Sequence, residues 1–176
     1  MSPLVIFRIQ LVLGYVAWLL VFGAYIWPRL RSMDTTEAHR AIAVLHSFRF
    51  FGLVFILPGV VSPDLPAHFA SFAAYWDLAT GVLAMLALAT VRLRPVFLLF
   101  VVAFNVVGFV DLVVDYYNAI QAGVPDMAGQ MGAAYAIPVI YVPVLMITHV
   151  TAFYLLARGQ LGAMSGMASQ ENAIRL

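Results

Sequence analysis

Long apolar runs alternate along the chain with short breaks rich in Pro, Gly, Arg and Asp. Five runs, at about 4–27, 41–61, 69–91, 96–120 and 134–157, can each cross a hydrocarbon core of about 30 Å, which takes roughly 20 residues of helix. Apolar residues are continuous within each run. A β-barrel would instead alternate lipid-facing and lumen-facing positions, and the helix is the other structure that satisfies its own backbone in lipid. The pattern therefore predicts an all-α fold, one integral membrane bundle of five transmembrane helices over residues 1–158. The small, polar stretch over 159–176 reads as a disordered tail.

The breaks orient the bundle. Arg29, Arg31 and Arg40 lie in the first connection, Arg92 and Arg94 in the third, and Arg158 and Arg175 after the fifth run, whereas the second and fourth connections carry none. The positive-inside rule then places the N-terminus outside and the C-terminus and tail in the cytoplasm, and the compact, Ala-rich chain suggests a bacterial inner (cytoplasmic) membrane. Arg8, near the outer end of the first run, is expected to snorkel to the headgroups. The first run is read as an uncleaved helix, because bulky "YIWPRL" stands where a signal peptide has small residues. Asp34 or Thr35/Thr36, with Glu37 in the first turn, is expected to cap helix two several residues before the bilayer.

Composition narrows the chemistry. At 64% hydrophobic and 10% charged the chain is no soluble domain, and a net charge of +1 without a basic block sets nucleic acid aside. There is no Cys, and all nine basic residues are Arg. Disulfides, thiolate nucleophiles and iron–sulfur clusters are thereby removed, as is a covalent retinal, which needs a Lys amine.

What remains is a set of polar residues inside the runs. A rise of about 1.5 Å per residue places His46, Arg49, Asn105 and His149 in the cytoplasmic half and Asp77, Asp111 and Asp115 in the outer half. This predicts a basic floor and an acidic roof around a partly hydrated cavity, bridged by the long Arg side chain, an asparagine or water, with Arg49 either the counter-ion of one Asp or the contact for an anionic substrate. Helical spacing puts His46 and Arg49 on one face with Ile42 and Leu53, and Gly108, Asp111, Asp115 and Asn118 on one stripe. Asp77 shares a face with the small residues Ala73, Gly81 and Ala84, and so points into the bundle. Tyr135, Pro138 and His149 share a face of helix five, which Pro138 and Pro143 should bend. Asp115, Asn118, His39 and His68 are expected to be solvated. Tyr15, Trp18, Trp27, Tyr75, Trp76, Tyr116 and Tyr117 include candidates for an interfacial aromatic belt.

Intramembrane ionisable groups are costly. The simplest reading makes them structural glue in a membrane subunit without chemistry of its own, but their number argues for a binding cavity. The leading expectation is therefore a cavity that binds or translocates a small ligand or proton through His46, Arg49, Asp77, Asn105, Asp111, His149 and Tyr135. The runner-up is a b-type haem, or a metal, held by His46 and His149 with Arg49 on a propionate. An intramembrane enzyme working by His and Asp acid–base pairs is a further reading, although no HExxH or GxSxG motif is present. Partners are expected to be the lipid bilayer, a small molecule or proton, and homo- or hetero-oligomeric neighbours within the membrane.

Overall fold

The computed structural model describes the backbone of residues 1–174 and side chains as far as Gly159, so the tail expected over 159–176 lies outside the described side chains. Five helices are long and apolar enough to cross a membrane: α1 (Pro3–Ser32), α2 (Thr35–Ile56), α3 (Ala67–Ala89), α4 (Arg94–Gln121) and α5 (Ile137–Gly159). A short 3-10 segment, Val124–Tyr135, joins α4 to α5, and no strand occurs among the described residues. The chain thus has the all-helical architecture of an integral membrane protein.

Helix starts and irregularities follow from single residues. Asp34 caps α2: its Oδ1 accepts from the Thr36 and Glu37 amides at 2.8 and 3.1 Å, so α2 begins at Thr35, well ahead of its apolar run. Pro28 does not end α1 at Trp27. A π turn over Phe22–Ile26 precedes it, and the helix continues to Ser32. Pro138 likewise sits in a π turn, Ile137–Tyr141, where the Trp18 indole donates to the Ile140 carbonyl at 2.7 Å. Trp18 therefore stitches α1 to the bent start of α5.

The irregularity that matters most lies in α2. From Ser47 to Ile56 it tightens into a 3-10 helix, in which side chains three residues apart eclipse. Its buried residues are Arg49, Gly52 and Phe55, a three-residue period. The expected α-helical face through Leu53 is therefore replaced by one through Gly52.

Two apolar clusters fill the bundle. One, at the end where α1 begins, gathers Phe7, Phe55, Phe69, Ala74, Val124, Met131 and Ile137. The other, at the arginine-rich end, gathers Leu30, Ile42, Ala84, Phe97, Val101, Phe104 and Ala152. The buried polar side chains lie between them.

Candidate functional site: an arginine clamp beneath an apolar cavity

Arg49 exposes none of its surface, and each of its three nitrogens donates to at least one acceptor. Nε donates to Asp77 Oδ1 at 2.6 Å, Nη1 to the Gly108 carbonyl at 3.1 Å and to His149 Nε2 at 3.3 Å, and Nη2 to Asp111 Oδ2, with Asp77 Oδ1 also in ion-pair contact with Nη2. The guanidinium fork thereby joins α2, α3, α4 and α5, a task a point-like ammonium could not share among so many acceptors.

The gap in depth expected between a basic and an acidic half is bridged by the long Arg49 side chain, one of the alternatives the sequence left open, and the pairing reaches both aspartates rather than one. Depth from a rise of about 1.5 Å per residue misplaces Arg49, because the 3-10 turns of α2 climb about 2 Å per residue and the side chain is long.

Glycines make the room. A Cβ on Gly52 would collide with the Asp77 carboxylate, and one on Gly81 would meet the Phe50 amide of the 3-10 turn at 3.0 Å. A Cβ on Gly108 would fall 2.5 Å from Arg49 Nη1 and 2.7 Å from His149 Nε2. Small residues here let three helices close on one guanidinium.

Hydrogen bonding fixes the protons on both imidazoles. Asn105 Nδ2 donates to the Val101 carbonyl at 2.7 Å, which leaves its Oδ1 to accept from His149 Nδ1 at 2.9 Å. His149 Nε2 is then the lone-pair nitrogen that receives Arg49 Nη1. The Thr148 hydroxyl donates to the Val144 carbonyl at 2.8 Å and so accepts from His46 Nε2 at 3.0 Å. His46 Nδ1 is left buried without a partner.

Above the clamp lies a cavity of about 300 Å³, walled by Phe7, Phe55, Phe69 and Leu112 and touched by Asp77, Asp115 and Tyr116, with Arg8 and Asp126 also lining it. Asp77 spends Oδ1 on Arg49, while no donor among the described residues reaches its Oδ2. The Asp115 side chain has no hydrogen-bond partner among the described residues, and its Oδ1 is buried. The Tyr116 hydroxyl meets that of Tyr15 at 2.9 Å. On its other side Asp111 borders a small apolar notch between α3 and α4, with Phe72, Trp76 and Val110.

The family model described as "Domain of unknown function (DUF8737)" matches residues 6–157. The chain belongs to this family. The matched stretch takes in the clamp, the cavity and nearly all of the five spans. No curated protein and no solved structure matches the chain.

Within this DUF8737 domain, His46, Arg49, Asp77, Asn105, Asp111 and His149 converge as a single cluster, whereas Tyr135 stands apart. Tyr135 ends the 3-10 segment, donates its hydroxyl to Gln10 of α1 and packs edge-on against Phe7, with ring centroids 6.1 Å apart. The π turn that follows it breaks the helical register by which it was assigned to the face of His149.

A haem between His46 and His149 does not fit. Imidazole–metal bonds of about 2 Å on each side would hold the two ligating nitrogens about 4 Å apart, with the ring centroids farther apart still. The observed rings sit with centroids 4.1 Å apart, tilted 42°, overlapping sideways, and three of their four nitrogens are already hydrogen-bonded. No group of three or more His, Asp or Glu side chains is arranged to hold a metal among the described residues.

Besides Tyr135, two residues expected in solvent lie elsewhere. Asp115, expected in solvent, lines the cavity; its position four residues after Asp111 on the same stripe was the available signal. His39, also expected in solvent, is fully buried with neither ring nitrogen partnered, while His68 is exposed as expected.

Proposed function

We propose that this protein binds a small, mainly apolar molecule with a polar head in the cavity above Arg49. In this reading Asp77 and Asp115 receive the head, and Arg49, held by Asp111, Gly108 and His149, fixes Asp77 in place. The observation that carries the proposal is Asp77 itself, with one carboxylate oxygen clamped by Arg49 and the other left without a donor among the described residues at the wall of a 300 Å³ cavity. That size and the apolar lining suit a small ligand site with a few convergent polar groups.

Binding is favoured over passage by what lies beneath. The hydrogen-bonded chain from Asp77 through Arg49, His149 and Asn105 ends on the Val101 carbonyl, amid the apolar cluster of Phe97, Val101 and Phe104. The Phe97, Val101 and Phe104 side chains offer a proton or polar ligand no partner, and the buried His39 beyond them has no hydrogen bond that would continue the chain.

We place the cavity on the outer side, with the N-terminus outside and the C-terminus cytoplasmic in an inner membrane. The gathering of Arg31, Arg94 and Arg158 around a polar recess at the opposite end supports this orientation.

The test is a thermal-shift screen of the purified protein against small amphiphiles, repeated on Ala73→Phe, which fills the cavity. Binding in the cavity predicts stabilising compounds whose effect disappears in the variant. Shifts that persist in Ala73→Phe, or no shift with any compound, would refute it.

A further inference from the structure

Charge balance around the clamp leaves a vacancy. Three carboxylates, Asp77 of α3 and Asp111 and Asp115 of α4, share one buried cation, Arg49 of α2. His149 of α5 accepts from Arg49 through Nε2 and is therefore uncharged, and His46 of α2 has no acceptor beside Nδ1 that could hold a second proton. The phenols are neutral and occupied: Tyr116 meets Tyr15 of α1, and Tyr141 of α5 donates to the Leu45 carbonyl at 3.1 Å. Arg8 of α1 and Asp126 of the 3-10 segment line the same cavity and carry opposite signs. With every carboxylate ionised, the cluster would hold two uncompensated negative charges in a medium that screens them poorly.

The open oxygens are where a positive charge can be received. Asp77 is 5% exposed and, among the described residues, its Oδ2 has no donor and Asp115 has no partner; both line the cavity. Apart from Arg8, Tyr116 and Asp126 the remaining walls are apolar side chains, and the Arg8 cation among them disfavours an inorganic cation, which would need six or more oxygen ligands.

We infer that the cavity takes a small organic cation, a primary ammonium on an apolar body, in exchange for a proton held by the Asp77–Asp111–Asp115 cluster. The inference rests on the binding reading above and specifies its ligand class. In the exchange the ammonium forms a charge-assisted hydrogen bond to a carboxylate whose O–H bond breaks. The proton leaves to the aqueous phase, the cluster keeps its total charge, and no covalent bond of the ligand changes.

The experiment is calorimetric titration of the full chain in nanodiscs with butyl-, hexyl- and octylammonium and with the matching alcohols, in phosphate and in Tris buffer. The ammonium series is expected to bind about tenfold or more tighter than the alcohols. Its heats should differ between buffers by about one released proton per ligand, and its Kd should tighten as pH rises, because each ligand bound displaces a proton. Asp115→Asn, checked for folding by its thermal melt, should weaken ammonium binding and reduce the proton release. Equal binding of alcohols and ammonium ions without proton release would overturn the cation assignment and leave the cavity reading standing. If neither series binds, the cavity reading fails, and this inference with it.

Discussion

Replacing Arg49 by Met keeps an unbranched side chain of similar length and removes five N–H donors. Asp77 Oδ1, Asp111 Oδ2, His149 Nε2 and the Gly108 carbonyl all lose their partner at once in a region with no measurable exposure at Arg49. Ordinary interhelical hydrogen bonds in membranes contribute about 0.6 kcal/mol, whereas breaking a buried ion pair by removing one partner costs about 3–5 kcal/mol. Two pairs share Arg49, but the losses do not add, because the stranded carboxyls can take up protons. We therefore expect Arg49→Met to cost about 3–5 kcal/mol in equilibrium unfolding by SDS in mixed micelles. The triple variant Arg49→Met/Asp77→Asn/Asp111→Asn, which removes the stranded charges as well, should recover about half of that, since neutral replacement of a buried ion cluster is often tolerated. A loss of about 1 kcal/mol or less in Arg49→Met would refute the reasoning, because a solvated, loosely paired guanidinium behaves that way.

Gly108→Ala inserts a methyl where Arg49, Thr80 and His149 already meet, and should lower stability by about 1–3 kcal/mol in the same assay; tolerance would mean that α4 does not approach so closely. Asp115→Asn removes a carboxylate with no partner among the described residues and should change stability by about 0.5 kcal/mol or less, whereas Asp77→Asn should cost clearly more. A reduced-minus-oxidised visible spectrum of the purified protein should show no haem band, because the contact between the His46 and His149 rings leaves no place for a macrocycle; a band abolished by either His→Ala change would contradict that geometry.

The five spans were legible because hydropathy and length alone decide them, and the inward aim of Asp77 was legible because it shares a face with Ala73 and Gly81. The membership of the cluster was read correctly but for Tyr135 and Asp115, yet its internal geometry was not. An α-helical ruler applied to α2 missed the 3-10 stretch, which nothing in "SFRFFGLVFI" announces, and with it the buried face through Gly52; Arg49 as counter-ion of one Asp was legible, its sharing between two was not. Tyr135 was misplaced for a related reason, since Pro138 brings a π turn that shifts the register after it. His39 lies close to the Asp34 cap and so appeared to belong to a solvated first turn; packing of neighbouring helices over that turn, which buries Ala38 and Ile42 too, is a tertiary effect without a local signal.

The chain contains no cysteine, so a single thiol can report on the cavity directly. Ala73 lines it and is 2% exposed, whereas Ala67 at the start of α3 is exposed and serves as the reference position. The decisive measurement is the labelling rate of Ala73→Cys, relative to Ala67→Cys, by a cationic and an anionic methanethiosulfonate reagent added outside right-side-out vesicles. An outward-opening cavity floored by Asp77 and Asp115 predicts that Ala73→Cys reacts, and reacts about tenfold faster with the cationic reagent. No reaction at Ala73→Cys while Ala67→Cys is labelled, or equal rates with both reagents, would contradict the account.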